Sequence, residues 1–241
     1  MLFGVGETGL LCACAGPRNL GSYGARKMPG VRVKEVFVSL QGESTYAGLP
    51  CVFIRTAGCN LRCSYCDTTY AYEGGRTAEI AELVEEVASY GVELVEVTGG
   101  EPLHQENVPL LVERLLDRGY TVLVETNGSY DIGVVDPRAV KIVDVKCPGS
   151  GMEDRADREN LRRLGPKDQI KFVLCDREDY VWARDKVIAW NPAGRSEVLF
   201  SPVHGKLDPE RLAGWILEDR LPVRLQLQIH KYVWKGRDRG A

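Results

Sequence analysis

Three closely spaced cysteines are the residues whose types and spacing best fit chemistry. Cys59, Cys63 and Cys66 form a C-x3-C-x2-C motif. Structural zinc needs four ligands, usually in two pairs, and no second pair or histidine lies nearby. A thioredoxin-like Cys-x-x-Cys pair would leave Cys59 unexplained, and three thiols cannot all form disulfides. Thiolates also hold iron–sulfur clusters, and a cubane with three protein ligands leaves one iron open. The motif therefore favours a reactive cluster.

The elements that must position this motif form a repeating pattern from residue 31 onward. Apolar, β-branched runs predict strands at 31–40, 51–57, 93–97, 120–125, 140–145, 169–174, 197–200 and 223–229. Amphipathic segments predict helices at 77–90, with Thr77 as N-cap, and at 108–118, 161–164, 177–189 and 209–218. Alternating strands and helices predict an α/β fold with a parallel sheet. About six such units are too few for a closed eight-stranded barrel, so we expect a partial, open parallel β/α barrel.

Polar and glycine-rich loops follow one predicted strand after another. The cysteine motif follows strand 51–57, the segment TGGEP follows strand 93–97, and TNG follows strand 120–125. Because ligands bind at the carboxyl ends of parallel strands, we expect these loops to form one composite site.

Composition narrows the class of protein. The chain has 241 residues, with 31 basic and 34 acidic side chains and a net charge of −3, which argues against phosphate-dominated binding of nucleic acid. No run reaches the ~18–20 apolar residues of a membrane span. Residues 1–28, with Cys12 and Cys14, are predicted to be a flexible leader, and residues 29–241 the functional domain. The remaining cysteines are interpreted as packed thiols, namely Cys51, Cys147 and Cys175.

The cysteine motif, followed by Thr98-Gly99-Gly100-Glu101-Pro102, resembles the radical S-adenosylmethionine (SAM) superfamily. Further motifs resemble the 7-carboxy-7-deazaguanine synthase family over about residues 31–234; they are Ser39–Glu43, Cys66-Asp67-Thr68, Glu125–Gly128 and Leu227–Tyr232. The superfamily resemblance implies a [4Fe-4S] cluster whose open iron binds SAM and whose reduction yields a 5′-deoxyadenosyl radical. The family resemblance implies a lyase that converts 6-carboxy-5,6,7,8-tetrahydropterin to 7-carboxy-7-deazaguanine with loss of ammonia. The product belongs to queuosine, archaeosine or other 7-deazapurine biosynthesis.

The resemblance also implies roles for individual residues. It makes Cys59, Cys63 and Cys66 the cluster ligands and Thr68 a ligand of Mg²⁺. It places SAM against Tyr65, Cys66, Asp67, Gly100, Glu101, Asp144, Val145, Lys146, Lys171 and Phe172. It places substrate against Leu40, Gln41, Gly42, Arg55, Thr98, Thr126, Asn127, Pro202 and His230, with Lys231 beside them. Asp144 departs from the serine that is common in the family, which puts its contact in doubt.

Two of these side chains also carry an argument from their own chemistry. The amide of Gln41 has both a donor and an acceptor for the edge of a pterin. Arg55 lies in an apolar strand, where a charge needs a partner. That partner is either the carboxylate of the substrate or, in an internal ion pair, the carboxylate of Glu43 or Glu101.

The family further implies a flavodoxin or ferredoxin reductant and a homodimer, and an oxygen-sensitive cluster implies a reducing cytoplasm. Two alternatives remain open. A glycyl-radical-enzyme activating protein has the same cysteine spacing, but the motifs Asp67-Thr68 and Glu125–Gly128 speak against it. A non-catalytic metal- or iron–sulfur-sensing module would leave the segment TGGEP unexplained.

Overall fold

The structure, a computed structural model, describes residues 29–190, 195–237 and 239–240, and of Asp154 only the backbone. The predicted leader at residues 1–28, with Cys12 and Cys14, lies outside the described residues. None of the helices in the described part of the chain has the length and apolar character needed to cross a membrane.

In the described residues, nine strands form one open sheet. Their bounds are β1 (Gly30–Leu40), β2 (Pro50–Thr56), β3 (Arg76–Glu79), β4 (Leu94–Gly99), β5 (Thr121–Thr126), β6 (Val140–Val145), β7 (Gln169–Leu174), β8 (Glu197–Pro202) and β9 (Arg224–Leu225). The spatial order is β3-β1-β2-β4-β5-β6-β7-β8-β9. Pairing is parallel from β2 to β9, whereas β1 runs antiparallel to β2 and to β3. The predicted open, mainly parallel α/β architecture is confirmed.

The helices follow the strands along the chain. Their bounds are α1 (Ile80–Ser89), α2 (Val108–Asp117), α3 (Asn160–Arg163), α4 (Arg177–Trp190), α5 (Pro209–Glu218) and α6 (Ile229–Val233). Apolar side chains repeat on one face of α1 and of α2, and each helix buries that face against the sheet.

Two predicted elements have a wrong boundary: the first helix begins later than predicted, and the last strand is shorter than predicted. Thr77 lies in β3 and pairs with Arg32 of β1, so it does not cap a helix. The four residues that precede α1 pair with the edge of the long strand β1 and form β3. Helix α1 therefore begins only after Glu79. The predicted strand at 223–229 shortens to the two residues of β9. Beyond β9 the chain turns, and the amide of Ile229 donates to the carbonyl of Gly42, 2.9 Å away, where α6 begins.

Alternation along the strands sorts side chains into two layers. Alternate residues pack against the helices, whereas the others point into the barrel, because successive side chains of a strand face opposite sides. The lower part of the interior is an apolar plug, formed by Cys51, Phe53, Leu94, Leu123, Val140 and Ile142. Toward the carboxyl ends of these strands and of β7, the interior positions become polar or charged, namely Arg55, Thr98, Glu125, Asp144 and Lys171. The plug therefore forms the floor of a polar cavity.

Candidate active site

A cavity of about 220 Å³ opens at the carboxyl ends of the parallel strands. Most residues that the sequence predicts for the site line it: Leu40, Gln41, Gly42, Arg55, Cys59, Cys63, Tyr65, Cys66, Asp67, Thr68, Thr98, Gly100, Thr126, Asn127, Asp144, Lys146, Lys171 and His230. The fold thus brings loops from both ends of the described chain to one place. Glu101, Val145, Phe172 and Pro202 are not among its lining residues.

The cysteine loop between β2 and β3 is anchored on both sides. Ser64 binds the segment after β6, because its amide donates to the carbonyl of Ser150 at 3.0 Å and its hydroxyl to that of Gly149 at 2.6 Å. On the other side, a Cβ on Gly100 would come within 2.2 Å of the carbonyl oxygen of Gly58. Only glycine permits this approach of the two loops, so the position of the cysteines depends on it.

The three thiols fit a cluster better than a single ion. Cys59, Cys63 and Cys66 are each partly buried and face the same cavity. Among the described side chains of residues 29–190, 195–237 and 239–240, no three Cys, His, Asp or Glu converge closely enough to bind one ion. In a cubane cluster each thiolate binds a different iron, so such convergence is not required. Burial raises the pKa of the Cys59 and Cys63 thiols, so cluster binding must release their protons.

Next to the thiols lies the ion pair of Asp144 and Lys146. The Nζ of Lys146 is 2.7 Å from Oδ2 of Asp144. Burial opposes the charge on Lys146, but the carboxylate and the nearby Cys63 outweigh it and raise the pKa of the amine. Oδ1 of Asp144 is buried and has no hydrogen-bond partner in the described structure. A donor group on a ligand would satisfy this oxygen.

Glu101 lies behind the cavity wall rather than on it. Its carboxylate accepts hydrogen bonds from the amide of Leu103 at 2.9 Å, the hydroxyl of Thr126 at 2.7 Å and the amide of Asn127 at 2.7 Å. Complete burial raises its pKa to about 7 in spite of these three donors. Glu101 therefore ties the loop after β4 to the loop after β5. Its contact with the SAM amino group stays a prediction.

Strand alternation explains why other predicted SAM residues do not line the cavity. Val145 and Phe172 occupy positions that face the helices. The Phe172 ring packs edge-on against Phe200, with centroids 5.4 Å apart. Pro202 ends β8, and the next residue, Val203, lines the cavity instead. The side chains of Val145 and Phe172 belong to the core, so the structure leaves only their backbone for contact with a ligand.

Arg55 has an internal partner that the sequence did not suggest. Its Nε lies 2.8 Å from Oε1 of Glu35, which also accepts a 2.6 Å hydrogen bond from the Tyr70 hydroxyl. Neither Glu43 nor Glu101 pairs with it among the described contacts. Arg55 still lines the cavity, so Glu35 orients a guanidinium that can receive an anionic ligand.

The sequence predicted Lys171 for the site but not the three carboxylates that surround it in a buried charge cluster on the cavity wall. The Nζ of Lys171 lies 2.8 Å from Oε2 of Glu43 and also binds Glu125. Glu96 completes the set, and all four side chains line the cavity. The available signal was a charged residue at an interior position of an otherwise apolar strand, as in LVEV, VLVET and QIKFV.

The amide of Gln41 is already engaged by this cluster. Its Nε2 donates to Glu96, and its Oε1 accepts a 2.8 Å hydrogen bond from the backbone amide of Glu43. Only 2% of Gln41 is exposed. Any contact between this amide and a pterin edge would have to replace or share these bonds.

Helix α6 closes the opposite side of the cavity. Lys231 forms a 2.6 Å ion pair with Asp67 of the cysteine loop, and the indole of Trp234 donates to the hydroxyl of Ser39 at 3.1 Å. These contacts hold His230 over the cavity. Burial lowers the pKa of His230, so its imidazole is neutral at pH 7.

Comparison with known proteins agrees with this geometry. The profile of the radical SAM superfamily matches residues 53–143, which contain the cysteine loop and strands β4 and β5. The 7-carboxy-7-deazaguanine synthase of Chlorobaculum tepidum is 44% identical, over 88% of this chain and 97% of the relative. The synthase of Koribacter versatilis is 45% identical, over 88% of this chain and all of the relative.

The fold also matches a solved structure. The crystal structure of QueE from Escherichia coli superimposes with a TM-score of 0.68 at 23% identity, covering 82% of this chain and 93% of that one. That likeness concerns the fold, whereas the two sequence relatives determine the family. The chain belongs to the 7-carboxy-7-deazaguanine synthase family of the radical SAM superfamily.

Proposed function

We propose that this chain converts 6-carboxy-5,6,7,8-tetrahydropterin to 7-carboxy-7-deazaguanine with loss of ammonia. The observation that carries the proposal is that the three-cysteine loop opens into the same cavity as a second, carboxylate-rich wall. One end of the cavity suits a cluster and SAM, and the other suits a polar heterocycle. A [4Fe-4S] cluster bound by the three thiolates would supply the electron that cleaves SAM and so starts hydrogen abstraction.

Residues of the chain would bind SAM, bind the substrate and exclude water. Lys146 and Asp144 stand beside the cysteine loop and offer a cation and a free acceptor to the SAM side. Arg55 offers the unengaged end of its guanidinium to the substrate carboxylate. The apolar plug below and α6 above restrict water in the cavity, which strengthens these electrostatic contacts.

We further propose that Mg²⁺ binds at Thr68. Thr68 lines the cavity, and its hydroxyl lies 3.0 Å from Oδ1 of Asp67. One hydroxyl cannot hold an ion that demands six oxygen ligands. The substrate carboxylate and water must supply the rest of the shell, so Mg²⁺ would bind tightly only together with substrate.

The proposal extends to the cellular setting. An oxygen-sensitive cluster requires a reducing compartment, and we place the protein in the cytoplasm with a flavodoxin or ferredoxin as its reductant. We also propose a homodimer. Tyr232 and Val233 of α6 and Leu225 of the edge strand β9 are large apolar residues that are 47%, 49% and 36% exposed, and a second copy could cover them.

Anaerobic reconstitution with iron and sulfide, followed by assay with SAM, Mg²⁺, a low-potential reductant and the tetrahydropterin, tests the function. The expected product is 7-carboxy-7-deazaguanine together with ammonia. Iron and sulfide should each approach about four per chain. One zinc per chain, or an intact cluster that forms no product, would defeat the assignment.

A further inference from the structure

Glu96 is a buried carboxyl group that none of the roles above uses. It lies between Val95 and Val97 in β4, and only 3% of it is exposed. Its neighbours in the sheet, Phe53 of β2 and Leu123 of β5, belong to the apolar plug. Glu96 therefore stands where the plug meets the cavity, and it contributes to the cavity wall.

The cations near Glu96 are committed to other carboxylates. Lys171 forms its ion pairs with Glu43, Glu125 and Asp144, and the described structure shows none between Lys171 and Glu96. The side-chain donor that reaches Glu96 is the neutral amide of Gln41. A buried carboxylate without a cation is costly, so a shared proton is the cheaper arrangement.

The surroundings of Glu96 agree with a bound proton. Burial, and then the charge of Glu125, raise the pKa of Glu96 well above its ordinary value, and the opposing effect of Lys171 is smaller. The carboxyl group of Glu125, on the neighbouring strand β5, lines the same cavity. For Glu43, burial acts in the same direction, but Lys171 and His230 outweigh it and lower the pKa. The groups that face Glu96 are Gln41, Glu43, Cys51, Glu125 and Lys171.

The proposed reaction requires a proton carrier in the cavity. Each secondary amine of the substrate's reduced ring carries one hydrogen, whereas ammonia carries three. Two further hydrogens must therefore reach the departing nitrogen, while formation of the aromatic ring removes hydrogens from carbon. The overall change is loss of ammonia without net oxidation, so protons can move between these two positions through the protein.

We propose that Glu96 is the proton donor for the nitrogen that leaves as ammonia, with Glu125 as the carboxylate that shares and relays its proton. The departing nitrogen loses its first bond to carbon during ring contraction, when a new carbon–carbon bond closes the five-membered ring and the hydrogen atom taken from substrate carbon returns to the nitrogen, which leaves a primary amine. In the step assigned to Glu96, its proton passes to this amine, and the remaining carbon–nitrogen bond breaks with its electron pair going to nitrogen. The adjacent carbon–hydrogen bond supplies the pair for the new ring double bond. The proton released from that carbon restores the protonated carboxyl. This inference rests on the proposed function.

Glu96→Gln tests the donor role because it retains the size of the side chain and cannot transfer a proton. Reconstituted variant and wild type are compared for product formation and for transfer of deuterium from labelled substrate into SAM. Product formation should fall by about 10²–10⁴-fold, the usual share of general acid catalysis, while deuterium transfer persists. Glu197→Gln, on the partly exposed end of β8, is the matched control and should behave as wild type. Product formation by Glu96→Gln within threefold of wild type would overturn the proposal.

A spectroscopic measurement tests the protonation of Glu96 without turnover. The infrared carbonyl band of a protonated carboxylic acid is compared in Glu101→Gln and in the double variant Glu96→Gln/Glu101→Gln, because the raised pKa of Glu101 gives that group a band of its own near pH 7. The band should be present at pH 7 in Glu101→Gln, should be absent from the double variant, and should shift when substrate binds. Absence of the band from Glu101→Gln at pH 7 would overturn the proposal. If the wild type forms no product from the tetrahydropterin although its cluster is intact, the proposed function fails, and the infrared band still decides the protonation of Glu96.

Discussion

The imidazole of His230 occupies the space that a side chain on Gly42 would need. A Cβ placed on Gly42 would lie 2.0 Å from Nδ1 of His230, far inside van der Waals contact. The carbonyl of Gly42 also accepts the hydrogen bond that begins α6. The missing side chain at residue 42 thus lets α6 close over the cavity.

Gly42→Ala should therefore move His230 and α6 while leaving the barrel intact. We expect the KM for the pterin substrate to rise about tenfold, equivalent to ~1.4 kcal/mol of binding energy, with little change in the affinity for SAM. Steady-state kinetics and SAM titration measure the two effects. Gly214→Ala in α5 is the control, since beyond its chain neighbours and the backbone of its own helix no atom lies within 4 Å of the added Cβ. An unchanged KM for Gly42→Ala would contradict the proposed closure.

Replacing a cysteine of the loop should have a different effect from replacing one in the plug. Cys59→Ala should abolish cluster assembly and SAM cleavage, because one of three thiolates is lost. Cys51 is completely buried below the cavity, and Cys51→Ala should only lower stability by about 1 kcal/mol. Iron analysis, the visible spectrum and 5′-deoxyadenosine formation separate the two variants. Equal loss of iron in both would refute the assignment of ligands.

Asp144→Asn should destabilise the protein strongly, because it leaves the buried amine of Lys146 without its carboxylate. Breaking a buried pair from one side typically costs about 3–5 kcal/mol. Urea denaturation of the iron-free protein measures this cost. Asp185→Asn serves as the control, since that carboxylate is 60% exposed and should change the free energy of unfolding by less than ~0.5 kcal/mol. Similar values for the two variants would show that the buried pair adds nothing.

Glu101 should make the stability of the iron-free protein depend on pH. Its pKa rises from an ordinary 4.5 to about 7 on folding, so the folded state binds the proton more tightly. The contribution is complete below pH 4.5 and is lost as pH rises through 7. Relative to Glu101→Gln, the wild type should lose about 3 kcal/mol across this window. Denaturation curves at several pH values measure the difference.

Glu85→Gln is the control for that experiment, because the side chain of Glu85 is 66% exposed. Its stability should follow the pH profile of the wild type. Parallel profiles for the wild type and Glu101→Gln would show that Glu101 does not retain a proton on folding.

Local sequence patterns predicted the order of the strands and helices. They failed where pairing with a distant part of the chain sets the bounds of an element. The alternation of apolar runs predicted β6, β7 and α5 with their observed bounds. Thr77 was misplaced because the edge of β1, more than 40 residues earlier in the chain, competes for its backbone. The strand predicted at 223–229 ended early because the backbone of Ile229 bonds to Gly42 instead of to β8.

By itself, the sequence determined the chemistry of the cysteine loop, since three thiols within eight residues remain close together in any fold. It also determined the edge of the sheet at which the loops meet, because parallel strands align their carboxyl ends. Only the tertiary structure decided which charged residues meet there. Lys171 and Glu43 are 128 residues apart in the chain, yet their side chains lie in contact. The protonation of Glu96 depends on that distant pairing. Lys171, the nearby cation, forms its ion pairs with Glu43 and Glu125 and therefore does not neutralise Glu96.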